Sequence, residues 1–161
     1  MNLVSAARQA LAASAARASI FSLDGECYVA KAGGTGRGWA QAFLLKTFCR
    51  LACGCRIPLK SLRLANGQGR LDYEASRLVR LGAAGEAVPR VLAREQGLLV
   101  LEYVGNTLEQ SLFPMARTEI RSCLIAATDD LARFHAAGHW HGGSQVKNMT
   151  LKNDRLFRIA R

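Results

Sequence analysis

Acidic residues are absent from the whole stretch 27–71, which nevertheless carries Lys31, Arg37, Lys46, Arg50, Arg56, Lys60, Arg63 and Arg70. In a chain of net charge +10, such a field disfavours basic partners. It favours a nucleotide, nucleic acid, or an anionic lipid or glycolipid headgroup; a solvated basic face is the plainer alternative. Long apolar runs are missing too. None reaches the roughly 18 residues that mark a membrane-spanning helix. Disorder is excluded by composition, since 50% of the 161 residues are apolar and 21% are charged, which suits one globular domain.

The opening residues 1–19 are Ala-rich and acid-free, with Arg8 and Arg17. They read as an ordinary first helix, with a transit peptide as the alternative in a eukaryote, and no secretory signal is evident. The five cysteines (Cys27, Cys49, Cys53, Cys55 and Cys123) are odd in number, which excludes a fully paired disulfide framework and points to a reducing, cytoplasmic setting. Cys49 and Cys53 share a helix face, but no histidine stands near and CxxC-type spacing is lacking. Small buried hydrophobes are the preferred reading over zinc ligands. The GxxxxGK[ST] pattern of a P-loop is also absent. The glycine-rich run at 33–38 reads as a loop, with a phosphate nest as the alternative.

Residues 3–17 carry helical spacing. Apolar runs at 20–23 and 27–31, joined by Asp24-Gly25-Glu26, predict a hairpin. Residues 39–53 predict a basic amphipathic helix with Phe43, Leu44 and Leu51 inward and Lys46 and Arg50 in solvent. A further helix is predicted over 70–81, with an apolar stripe at Leu71, Ala75, Leu78 and Val79. Glu74 lies on the side of that stripe, where a carboxylate needs a partner to offset its desolvation. Gly82 and Gly85 end this helix. A strand near Val91 and a second over 98–103 precede a long helix over 117–136. Its apolar positions are Ile120, Leu124, Ala127, Leu131 and Phe134, and Gly138 is its stop. A loop over 139–148 and a hairpin of 149–151 with 156–159 follow.

These elements place a set of chemically apt residues in a definite order. Phosphoryl transfer is mostly positioning and charge neutralisation. It uses a strand lysine on the phosphates, a helical glutamate that orients it, a backbone hinge for adenine, a loop bearing a base and a magnesium-binding asparagine, and a second magnesium-binding aspartate. Here Tyr28-Val29-Ala30-Lys31 resembles the V-A-I-K strand, and Glu74 is the helical glutamate. Leu101-Glu102-Tyr103-Val104-Gly105 resembles the hinge, with backbone atoms of Glu102 and Val104 for the base. The run from His141 to Asn148 has the span of H-R-D-L-x-x-x-N.

Over residues 18–161 the chain resembles the small bacterial lipopolysaccharide (Kdo/heptose) kinase-like proteins and, more distantly, the RIO and KEOPS-complex kinases. The likeness rests on Glu74 with Leu78 and Leu81; on Val88-Pro89-Arg90-Val91-Leu92; on Leu101-Glu102 with Gly105 and Leu108; and on Leu131-Ala132 with His135, Gly138, His141 and Gly142. It implies an α+β, protein-kinase-like fold with a small β-rich N-lobe (about 18–103) and an incomplete helical C-lobe (104–161). It also implies weak binding of ATP and Mg2+, with Lys31 on the phosphates, Glu74 orienting Lys31, and Asn148 on the metal.

The departures are specific. The position of the base aspartate holds Gly143, which has no side chain, and Gln145 stands where many kinases carry lysine. Only His141 and Ser144 stand nearby as proton acceptors. The second magnesium-binding aspartate is expected 12 or 13 residues after Asn148, where Ala160 and Arg161 stand, so the resemblance implies a chain truncated before that segment. The expected function is thus a weak or inactive phosphotransferase toward lipopolysaccharide or another envelope acceptor, cytoplasmic or peripheral at the inner membrane, with a protein partner covering the incomplete C-lobe. The alternative is a non-enzymatic basic binder of an anionic membrane surface or, as a secondary class, of nucleic acid.

Overall fold

The computed structural model describes residues 1–14, 16–34, 39–52, 67–139, 145–152 and 155–159. They are mixed α and β, with a small sheet built on antiparallel hairpins, and divide into two compact units, Met1–Ala75 with Val91–Leu101, and Ser76–Arg90 with Glu102–Arg161. Among the described residues no helix is long and apolar enough to cross a membrane.

The first unit opens with α1 (Leu3–Ser14). Asn2 Oδ1 accepts the Ser5 N–H (2.8 Å) and so satisfies one of the unpaired donors of the first turn. The helix stops three residues short of the expected 17. Ser14 Oγ donates to the Leu11 carbonyl and accepts the Ala16 N–H, giving the backbone a local alternative to another helical turn. Strands β1 (Ala18–Leu23) and β2 (Glu26–Ala32) form the expected hairpin. Its two turn residues, Asp24 and Gly25, both have positive φ (52° and 83°), as a type I′ turn requires.

Strands β3 (Val91–Glu95) and β4 (Leu98–Glu102) complete a four-stranded sheet in the order β1-β2-β4-β3. Leu98, Leu99, Val100 and Leu101 are all buried, as suits an interior strand, and each contributes roughly 1.5–3 kcal/mol by leaving water. One face packs Leu98, Val100 and Ala30 on Ala7 of α1, with Phe21 and Tyr28 alongside.

Helix α2 (Trp39–Ala52) forms where expected, but its orientation is a correction. Phe43, Leu44 and Leu51 are exposed rather than turned inward, and Phe48 joins them. Lys46 is half-buried and Arg50 exposed. Helix α3 (Gly67–Ala83) begins three residues before the expected start. The Gln68 side chain donates to Asp72 Oδ1 (2.7 Å) and accepts the Gly97 N–H, which ties down a first turn otherwise weakened by glycine. Its stripe is Leu71, Ala75, Leu78 and Leu81, all buried. Val79 is a second correction, 60% exposed, because it lies about 100° around the helix from Leu78.

The second unit contains a short helix not foreseen in the sequence, α4 (Leu108–Leu112). Thr107 Oγ1 accepts the Gln110 N–H and Gln110 Oε1 accepts the Thr107 N–H, a capping box. Helix α5 (Arg117–Ala136) matches its expected bounds. It buries Ala127 and Phe134 and half-buries Ile120 and Leu131, while Leu124 is exposed, contrary to expectation. A 3-10 turn (Val146–Asn148) leads into the hairpin of β5 (Met149–Lys152) and β6 (Arg155–Arg158). Leu108, Ala127 and Met149 form the core of this unit.

Beside that core lies a buried cation. Arg158 is 3% exposed. It donates from Nη1 to Glu86 Oε2 (2.8 Å), and from Nη2 to the Asp130 carboxylate and to the Asp130 carbonyl (3.0 Å). Its guanidinium also lies 4.2 Å from the Phe134 ring centroid, within cation–π range.

Candidate functional site

Lys31 is next to last on β2, one residue after Ala30, whose methyl group is fully buried in the first unit's core. Alternation along a strand therefore sends the Lys31 side chain to the opposite face. Glu74 stands between Leu71 and Ala75 on the buried side of α3. The two meet as an ion pair, with side chains only 15% and 12% exposed. Two charges so placed are costly to desolvate, and their attraction offsets this only while both remain. The carboxylate thus holds the ammonium group on one heading, which a strand lysine in solvent would not keep.

The segment read from the sequence as a hinge, 101–105, begins in the last two residues of β4 and runs on toward α4, with Glu102 onward in the second unit. The Glu102 N–H is already engaged by the Arg90 carbonyl (2.9 Å), and its carboxylate by Arg90 Nε (3.0 Å). Val104 is buried, and its backbone has no hydrogen-bond partner among the described residues. Tyr103 is fixed at both ends: its hydroxyl donates to Asn106 Oδ1 (2.7 Å), and its carbonyl accepts from Lys152 Nζ (3.4 Å).

Asn148 closes the 3-10 turn and is buried at 4% exposure. Its N–H donates to the Gln145 carbonyl (2.7 Å) and its carbonyl accepts the Ile159 N–H (2.9 Å), so the loop end is pinned to the strand β6 side. As a magnesium site this donor set is insufficient on its own. Mg2+ prefers octahedral oxygen, supplied by one or two carboxylates with phosphate and water, and an asparagine offers one neutral oxygen. Among the described residues no three of His, Cys, Asp and Glu gather as a metal cluster.

The structure thus brings Lys31 and Glu74 together in the first unit and puts Glu102, Val104 and Asn148 in the second. His141, Gly143 and Ser144 lie outside the described residues, as do Cys53, Cys55, Ala160, Arg161, residues 35–38 of the glycine-rich run and the side chain of Cys49. Cys27 and Cys123 are free thiols. The Arg158 cluster has no counterpart in the sequence reading. Its members are 72 and 28 residues apart, so no local spacing signals it. No protein-family model matches the chain, and no curated protein matches its sequence.

Proposed function

We propose that the chain is an ATP-binding protein of kinase-like architecture, with at most slow phosphotransfer to an acceptor such as an anionic envelope glycolipid. The largely buried ion pair of Lys31 and Glu74 carries this reading, because a strand lysine oriented by the glutamate of a later helix is the phosphate-gripping device of kinases. Other features support it. The lysine strand β2 neighbours β4 in the sheet, β4 runs into 102–104, and a long helix, a turn ending at Asn148 and a hairpin follow in that order.

In this reading the roles are those the sequence resemblance assigns: Lys31 for the phosphates, the Glu102 carbonyl and Val104 backbone for adenine, and Asn148 for the metal that accompanies the nucleotide. The acceptor's proton is the weak point. Gly143 offers no base, and the loss of a general base costs roughly 10²–10⁴ in rate. His141 and Ser144 are the nearest side chains in sequence able to take a proton.

The test is titration of the full chain with a fluorescent ATP analogue, for the parent and Lys31→Ala. Losing one charge-assisted contact is worth about 1.5–3 kcal/mol, so Kd is expected to rise about ten-fold to a hundred-fold. Because Lys31→Ala leaves Glu74 unpaired, the double variant Lys31→Met/Glu74→Gln, checked by circular dichroism, repeats the measurement on an uncharged pair. Affinity unchanged in both variants would remove the reading. Salt separates it from nucleic-acid binding, which weakens steeply as salt rises, whereas adenine recognition by backbone atoms does not.

A further inference from the structure

Helix α2 presents a face with no evident use in nucleotide chemistry. Phe43, Leu44, Phe48 and Leu51 are 51%, 67%, 61% and 80% exposed. At about 100° per residue they occupy a contiguous sector of roughly 140°. Lys46 and Arg50 follow the border of that sector beside Phe43, and no acidic residue occurs anywhere in the 14-residue helix. Scattered surface leucines need no explanation, but four large apolar side chains on one face mark an interaction surface.

We propose that α2 is an interfacial helix that lies in the plane of an anionic lipid bilayer, with Phe43, Leu44, Phe48 and Leu51 in the acyl boundary and Lys46 and Arg50 on the headgroups. Charge complementarity selects this occupant. The helix carries Lys46 and Arg50 and no acid, and it lies in a stretch of sequence, 27–71, that is acid-free throughout; anionic leaflets attract such segments while their acyl layer takes up the apolar face. A second copy of the chain would bring one +10 molecule against another, with Lys46 and Arg50 facing their like. Nucleic acid would pair with the cations and leave Leu44 and Leu51 in water.

This inference is independent of the nucleotide reading, since it uses none of Lys31, Glu74, Val104 or Asn148. The test is sedimentation of the full chain with phosphatidylcholine vesicles, with and without phosphatidylglycerol. Binding is expected only with the anionic lipid. Leu44→Asp/Phe48→Asp and Lys46→Glu/Arg50→Glu should each weaken it about ten-fold or more. Circular dichroism checks that the fold is kept in each variant. Absence of binding by the parent chain overturns the proposal. So does charge reversal that abolishes binding while the Asp pair leaves it intact, which would mean simple electrostatic adsorption. Concentration-dependent dimerisation abolished by the Asp pair, without vesicle binding, reassigns the face to a second copy. Salt-sensitive RNA binding without vesicle binding reassigns it to nucleic acid. ATP affinity is expected to be the same in all these variants, so failure here leaves the nucleotide reading standing.

Discussion

Replacing Arg158 with alanine is expected to destabilise the protein by about 3–5 kcal/mol, the cost of removing one partner from a buried charge network. The guanidinium serves two carboxylates, Glu86 and Asp130, and the Asp130 carbonyl at once. It also covers the Phe134 ring, whose side chain is fully buried. Without it Glu86 and Asp130, at 19% and 25% side-chain exposure, keep only the longer contacts to His139 and Arg133 (3.7 Å each), and a space opens beside Phe134. Arg158→Lys is expected to recover only part of the loss, because an ammonium group cannot present a planar fork to both carboxylates. Arg158→Met with Glu86→Gln and Asp130→Asn removes the charges together and should cost less than the single alanine change. Urea unfolding midpoints of the full-length variants rank these outcomes. A single variant within about 1 kcal/mol of the parent, the range of an exposed ion pair, would show that the cluster is solvated and carries no such weight.

The next largest effect is expected at Gly105. This residue has φ +94°, and a Cβ built on it would stand 2.7 Å from the Leu151 carbonyl oxygen. The obstacle is the backbone of β5, which cannot rotate away as a flexible side chain can. Gly105→Ala therefore incurs left-handed strain of about 1–2 kcal/mol and in addition displaces β5 or the segment that follows β4. Gly138, in the same unit, separates the two costs. Its φ is +78°, but nothing lies within 4 Å of its added Cβ, so Gly138→Ala should incur the strain alone. Thermal melts are expected to put Gly105→Ala below Gly138→Ala, and Gly105→Val lower still. If the two alanine variants melt together, the close approach to Leu151 is not a constraint.

Which parts of the fold are legible in the sequence follows from the range of the forces that make them. The β1-β2 turn is readable because Asp-Gly is a local signal with a fixed geometry. The stripe of α3 is readable because 3.6-residue periodicity is local, and with it the need of Glu74 for a partner. That the partner is Lys31, 43 residues away, can be read only through the ordered resemblance to kinases, since no spacing rule reaches that far. Helix α4 carries a usable sign, Thr107 three residues before Gln110, but its five residues are too few for periodicity. The face of α2 departs from its sequence expectation for a physical reason. An apolar stripe fixes which side of a helix avoids water, but not whether protein or another apolar phase covers it. The Arg158 network leaves no trace, because Glu86, Asp130 and Arg158 come from three separate segments of the chain.

The division of the chain has a consequence for its synthesis. The first unit is interrupted in sequence, since Ser76–Arg90 belongs to the second unit and Val91–Leu101 returns to the first. Strand β4, which fills the place between β2 and β3, is therefore among its last parts to leave the ribosome. At about 5–20 residues per second, the β1-β2 hairpin waits several seconds or longer with the inner edge of β2 unpaired, an open template for a wrong strand. For the same reason no single cut or fusion point detaches one unit from the other, and a fragment ending after α3 lacks the strand on which the sheet closes.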